Sequence, residues 1–264
     1  MAVLSNYNSW LTCLNRNPQA KLRLFCFNYA GGGPLSFRGW SDYLPTFVEV
    51  CPIQIPGRGS RFKEPPFTQL RPLVQELTTA LLPYFDKPFV FFGHSMGALV
   101  SFEMAQLLRK EHSLNPEYLF VSGRRAPQLP NPNPPIHALP EAKFWEEIRR
   151  FNGTPEEVLN NTELREMLLP TLRADFAVFE TYVYTPKPPL DCPITALGGL
   201  EDSEATYDEL EAWKEHTNQG FLLQTFPGGH FFIHSSHSFV LGYLSQKLHQ
   251  IANNFGTQYS SIYR

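Results

Sequence analysis

Residues 89–110 read FVFFGHSMGALVSFEMAQLLRK, and this stretch limits the fold more than any other. The unbroken apolar run at 89–92 is that of a strand covered on both faces. Ala98–Lys110 has the spacing of an amphipathic helix, so Gly93-His94-Ser95-Met96-Gly97 forms the turn between them. A serine at such a bend is forced into a strained backbone. Glycines at both flanks remove side chains that would strike neighbouring segments. The bend lifts the Ser95 hydroxyl above the sheet edge and leaves the Met96 amide at the helix N-terminus, facing any oxyanion formed there.

The rest of the chain is consistent with this. Leu22–Asn28, Glu49–Ile55 and Tyr118–Ser122 read as further strands, and Gln69–Leu82 as a helix that tolerates Pro72 only in its first turn. Strands alternating with helices of this length predict an α/β fold with a mostly parallel central sheet flanked by helices. The alternation stops after Arg124. APQLPNPNPP can be neither helix nor central strand. Pro140 to about Tyr184 is helical throughout, with Pro140, the PEEVL turn at 155–159 and Ala174–Tyr182 as its landmarks. The α/β pattern then resumes with Ile194–Leu197, a helix over Tyr207–Lys214, a strand at Phe221–Thr225 and a helix over Phe239–Ile251. A polar, frayed tail from Asn253 is expected. The expected organisation is a core of residues 1–126 and 187–264, interrupted by a helical lid insertion at 127–186.

With 22 basic against 25 acidic residues, the chain lacks the electrostatic footprint of a nucleic-acid binder. No apolar run approaches the roughly 18–20 residues of a membrane span. The N-terminus MAVLSNYNSWLTCLNRN has no basic region followed by an apolar one, so no secretory leader is expected. Cys13, Cys26, Cys51 and Cys192 are too scattered for paired metal spacing and read as reduced, mostly buried thiols of a cytoplasmic protein. The 22 phenylalanines suit an apolar ligand, but a well-filled core accounts for them more simply.

A serine at its ordinary pKa needs a base. In this fold type the acid and then the histidine follow the serine along the chain. His230 comes after two glycines at the end of the run FLLQTF, where a base at the top of the sheet belongs. His112, His137, His216 and His249 stand in polar or helical surroundings and are expected at the surface. His230, His234 and His237 have the spacing of one helix face, which could hold zinc. There is no HExxH glutamate, however, and Gly228-Gly229 disfavours a helix there, so no metal is expected. The acid is placed after the strand ITAL, at Asp202, with Glu201 as the alternative. It would accept the Nδ1 hydrogen of His230. Asp191 precedes that strand and Asp175 falls in the helical insert. The second oxyanion donor should come from Asn28-Tyr29-Ala30-Gly31-Gly32-Gly33, whose glycines let the Ala30 amide pair with that of Met96. No Gly-Lys-Ser/Thr follows this loop, so it is not a phosphate cradle.

Seven segments carry a family resemblance. They are FNYAGGG (27–33), IQIPGRGSRF (53–62), FFGHSMGAL (91–99), FVSGRRAP (120–127), LPTLRADF with the following ETYVY (169–184), ITALGGLED (194–202) and FPGGHFF (226–232). In this order, over about Lys21 to Leu248, the chain resembles type II (external, editing) thioesterases. These are discrete α/β-hydrolases that accompany non-ribosomal peptide and polyketide synthases. The resemblance implies hydrolysis of acyl or aminoacyl thioesters from the phosphopantetheine arm of carrier proteins, which clears stalled or misprimed synthases. Ser95, Asp202 and His230 match the family triad, and Ala30 and Met96 its oxyanion donors. The implied enzyme is a cytoplasmic monomer with no cofactor of its own, partnered by carrier-protein domains. Two departures stand out: Asn28-Tyr29 replaces the Pro-His frequent in relatives, and LEDSEA lacks their Asp-Pro, which keeps Glu201 open.

Leu168, Leu169, Phe176 and Phe179 would give the lid an apolar face over an acyl chamber, or simply pack within it. Arg58, Arg61, Lys63, Arg124 and Arg125 would steer an acidic carrier protein, or form a solvated basic loop. Two other functions fit less well. A general esterase or lipase would share the fold, and a non-catalytic binder would have no use for serine, base and acid together.

Overall fold

The computed structural model describes residues 9–12 and 17–262. Cys13 and most of the N-terminal stretch read for a leader lie outside the described residues. Six strands, β1 (Leu22–Phe27), β2 (Val48–Pro52), β3 (Phe89–His94), β4 (Tyr118–Ser122), β5 (Ile194–Gly199) and β6 (Phe221–Phe226), form one sheet. Its order is β2-β1-β3-β4-β5-β6 and every pairing is parallel. The helices are α1 (Trp40–Tyr43), α2 (Leu70–Leu81), α3 (Met96–His112), α4 (Glu141–Phe151), α5 (Glu156–Leu159), α6 (Thr162–Glu180), α7 (Tyr207–Glu211), α8 (Phe232–Ser235) and α9 (His237–Ile262). Among the described residues no helix is long and apolar enough to cross a membrane.

The chain leaves β1 outward to β2 and returns on the other side to β3, so the order reverses between β1 and β3. Ligands of open α/β sheets bind at the carboxyl ends of strands flanking such a reversal. The Ala30 loop leaves β1 there and Ser95 leaves β3.

Strand periodicity sorts the side chains onto the two faces. Phe25, Phe27, Phe89, Phe91, Leu119 and Val121 pack beneath α2 and α3. Leu22, Leu24, Cys26, Val90, Phe92 and Phe120 pack on the opposite face against α9 and the Phe37–Trp40 pair. The many phenylalanines are therefore core: Phe25 lies edge-on to Phe85, Phe89 and Phe91, and Trp40 to Phe92. On α2 the buried Leu70, Leu73, Val74, Leu77 and Leu81 form one stripe, each contributing about 2 kcal/mol of transfer free energy as an upper estimate. Pro72 stands in the helix's first turn, where its missing N–H costs nothing.

Between β4 and β5, α4, α5 and α6 share their own apolar cluster of Ile136, Phe144, Trp145, Ile148, Leu159, Leu172 and Phe176. α6 begins well before the landmark at Ala174. Asn161 caps it by accepting the Leu164 amide hydrogen at 3.0 Å, and Pro170 stands inside it without breaking it. The helix survives because the turn after Pro170 is held by packing: Thr171, Leu172, Ala174 and Asp175 are all buried. At the other end of the chain α9 continues to Ile262, past the boundary at Ile251 and through the stretch from Asn253 that was expected to fray.

His216 is not at the surface. It is 3% exposed, packs edge-on to Phe102, Trp213 and Tyr184, and shares a 2.5 Å hydrogen bond with the Gln128 amide oxygen. Burial pushes its imidazole down to about 4, against a small opposing pull from Glu215. An unfolded histidine titrates near 6.5, so between these values the unfolded chain holds more protons and stability falls as pH drops. We expect His216→Gln to flatten the fall in melting temperature between pH 6.5 and 4.5, by roughly 5 °C in scanning calorimetry. An unchanged slope would show that His216 is not the group responsible. Some slope should remain, because burial also holds the His94 imidazole well below its ordinary range.

Candidate active site

Ser95 occupies the turn between β3 and α3 at φ 53°, ψ −115°, a conformation that L residues rarely adopt. Its N–H donates to the Ser122 carbonyl at 2.7 Å, which fixes the turn to the end of β4. The flanking glycines are required by contact: a Cβ on Gly93 would sit 2.2 Å from the Gly97 carbonyl oxygen.

Across the cleft, the loop after β5 and the loop after β6 are joined backbone to backbone. The Leu200 amide donates to Phe226 and the Glu201 amide to Gly228, at 2.9 and 3.0 Å. This junction presents His230 to Asp202. His230 Nδ1 lies 2.9 Å from Asp202 Oδ2 and 3.1 Å from Oδ1, so that nitrogen carries the hydrogen and donates it. Nε2 is then the acceptor, and the Ser95 hydroxyl donates to it at 3.0 Å. The Asp202 side chain is fully buried, and its Oδ1 also accepts the Glu204 amide hydrogen at 2.8 Å. Glu201 is exposed and makes no bond to His230. Of the two acids left open by the sequence, Asp202 is the one brought to the histidine. Asp191 pairs with Arg109 and Asp175 with Arg58.

Among the described residues, neither the Ala30 nor the Met96 amide donates to a protein acceptor. His234 and His237 do not form a shared metal-binding face with His230. The His234 ring meets the Tyr29 hydroxyl at 3.0 Å, and His237 lies edge-on to Tyr43. His137 is held by Glu180 at 2.6 Å, while His112 and His249 are exposed. One histidine escaped the sequence reading. His94, within the turn motif itself, is buried with Nδ1 2.8 Å from the Ser122 hydroxyl, and its ring centroid is 5.3 Å from that of His230.

A small cavity opens on Ser95 and His230, walled by Gly123, Arg124, Phe176 and Phe179. Phe176 and Phe179 thus reach the site, whereas Leu168 and Leu169 pack against the insert's own cluster. The Arg124 guanidinium lies over the Phe179 ring at 4.8 Å. Burial, assisted by neighbouring Arg125, pushes it down to about 10. A larger cleft, about 1080 Å³ between α2, α3 and the chain at 181–191, contains none of the Ser95, His230 and Asp202 group. The site is therefore assigned by chemistry and not by size.

The basic residues expected to steer a partner are mostly engaged elsewhere. Arg58 is buried against Asp175. Arg61 is buried between Glu64 and the Trp10 ring, 4.1 Å from its centroid, and Arg125 pairs with Glu209. Their partners lie mainly on distant segments, which a linear reading does not join. Only Lys63 of the five is exposed.

The thioesterase-domain family model matches residues 22–248. The chain belongs to the thioesterase family. It is 46% identical to the gramicidin S biosynthesis protein GrsT of Aneurinibacillus migulanus, over 94% of this chain and 97% of that one. Two solved structures superimpose closely. RedJ, a thioesterase from the prodiginine biosynthetic pathway in Streptomyces coelicolor, gives a TM-score of 0.82 at 39% identity, over 88% of this chain and 87% of that one. The type II thioesterase BorB, from the borrelidin biosynthetic cluster, also gives 0.82, at 35% identity, over 90% and 97%. This thioesterase is therefore a hydrolase of thioesters on an α/β-hydrolase fold, with its helical insert standing between β4 and β5.

Proposed function

We propose that this enzyme hydrolyses acyl or aminoacyl thioesters carried on the phosphopantetheine arm of carrier-protein domains, releasing stalled or misprimed chains in peptide or polyketide biosynthesis. The reading rests on one observation: the 3.0 Å contact between Ser95 Oγ and His230 Nε2, with Asp202 on the opposite ring nitrogen. Ser95 attacks the thioester carbonyl while His230 takes its proton. The charge that develops on the carbonyl oxygen is met by the Ala30 and Met96 amides. Asp202 holds the tautomer and stabilises the imidazolium. His230 then protonates the departing thiolate, and a water molecule repeats the cycle on the acyl-enzyme. The chemistry needs no metal and no cofactor of the enzyme's own, because the pantetheine belongs to the partner.

In this reading residues 127–186 form the lid, with Phe176 and Phe179 excluding water from the acyl-enzyme. The enzyme acts as a cytoplasmic monomer. The names of GrsT, RedJ and BorB, each tied to one biosynthetic pathway or cluster, support a carrier-bound substrate over a free one. A panel of acyl-loaded carrier proteins, compared with the same acyl groups as small thioesters and oxoesters, tests it. We expect kcat/KM at least about tenfold higher on carrier-bound thioesters, because docking contributes binding energy remote from the reacting carbon. Equal turnover of simple oxoesters would indicate a general esterase instead.

A further inference from the structure

The PGRG and LRADF segments each supply one half of a buried ion pair, Arg58 with Asp175, that the reaction as described does not use. Arg58 is 8% exposed and Asp175 only 1%. Asp175 Oδ1 accepts from Arg58 Nη2 at 2.5 Å, and Oδ2 accepts from Nη1 at 2.8 Å. The same two groups also hold the loop after β1. The Gly31 amide donates to Asp175 Oδ2 at 2.7 Å, and Arg58 Nη1 donates to the Gly32 carbonyl at 2.8 Å. The four partners close a ring through the acid, the loop and the guanidinium.

We propose that Arg58 and Asp175 are positioning residues that aim the Ala30 amide at the developing oxyanion. This deepens the functional reading above and rests on it. The Tyr29 carbonyl accepts the Gly32 amide hydrogen at 2.9 Å. In a trans peptide the C=O and the next N–H point in opposite directions, so that bond turns the Ala30 N–H outward. The turn depends on the placing of Gly31 and Gly32, which the ring fixes from both sides. Gly31 is at φ 76°, and a Cβ there would lie 2.6 Å from Leu172 Cδ2, so the loop is also pressed against α6 by shape. Thr171 adds a second tie, its hydroxyl donating to the Gly57 carbonyl at 2.6 Å. One face of α6, at Thr171, Leu172 and Asp175, therefore belongs to the active-site framework. A buried ion pair is weak support for stability, because desolvation offsets its attraction. Its use here is to hold a backbone donor in place.

Asp175→Asn keeps the shape but removes the charge, and Arg58→Lys keeps the charge but cannot span both Asp175 oxygens and the Gly32 carbonyl. Each variant is to be assayed on a small acyl thioester, alongside its affinity for an alkyl boronic acid that forms a tetrahedral adduct on Ser95. Hydrogen exchange at residues 29–33 is measured in parallel. We expect kcat to fall about 10- to 100-fold with KM within about twofold of wild type, boronate affinity to fall with kcat, and the Gly31 amide to exchange faster. A folded variant with wild-type kcat, or with unchanged Gly31 exchange, overturns the proposal. Should neither variant fold, the wild-type protein decides: slow Gly31 exchange supports the clamp, and exchange at the rate of an open loop refutes it. Turnover surviving in Ser95→Ala would instead sink the functional reading, while the exchange result would still judge the clamp.

Discussion

Ser95→Ala is expected to lower thioester turnover by about 10⁵- to 10⁶-fold while the melting temperature stays within a degree or two of wild type. The alanine removes Oγ, the atom that would form the bond to the acyl carbon, and leaves His230, however well placed, no hydroxyl to activate. The fold loses little, because the Ser95 backbone hydrogen bond to Ser122 does not involve the side chain, and among the described residues the hydroxyl hydrogen-bonds to His230 alone. His230→Ala should fall nearly as far, since members of such a set act as a unit and their losses do not add. A fluorophosphonate probe should label wild type at Ser95 and neither variant appreciably. Retained turnover in Ser95→Ala would remove the nucleophile from its assigned place. Ser95→Gly should be equally inactive yet more stable by about 1 kcal/mol, because glycine accepts the positive φ without strain.

The parts of this site that the sequence reveals are those whose geometry is local. The turn at 93–97 announces itself because a strand, two glycines and a helix lie within a few residues of the serine. His230 and Asp202 follow because each stands on a loop just past a strand, and the parallel topology sends every such loop to the same edge. Arg58 and Asp175 carried no such signal. They are 117 residues apart, and each alone reads as an ordinary charge, one on a loop and one on a helix. His216 misleads for a related reason: its neighbours Glu215 and Thr217 are polar, and only the packing of α3 brings Phe102 over its ring. Where α6 begins is not legible from local propensity, because Pro170 in isolation would break a helix and here is outweighed by the buried turn that follows it. His94 gives no such signal: it stands inside the turn motif, upstream of Ser95, and only the fold brings its ring 5.3 Å from that of His230.

Gly97→Ala should be among the most damaging single-methyl additions in the protein, alongside Gly93→Ala. A Cβ at that position would lie 2.2 Å from the Phe27 carbonyl oxygen, 2.5 Å from its carbon and 2.7 Å from the Asn28 oxygen. All three atoms are backbone, at the end of a central strand and the start of the Ala30 loop, so no rotamer change relieves the contact. Either α3 withdraws from the sheet, opening its packing on Phe27 and Phe91, or the end of β1 shifts and carries the Ala30 amide with it. The first route costs stability on a scale of more than about 4 kcal/mol, and the second costs catalysis. We expect the variant to be largely insoluble, or, if recovered, to melt more than about 8 °C lower with kcat severely reduced. Gly242→Ala is the matched control. It lies within α9 with nothing inside 4 Å of its would-be Cβ, so alanine there should stabilise by about 0.5–1 kcal/mol through helix propensity alone. The pair separates close approach from conformational freedom as the reason for a glycine. Wild-type melting and turnover in Gly97→Ala would mean that β1 and α3 are not held as close as the seryl turn requires.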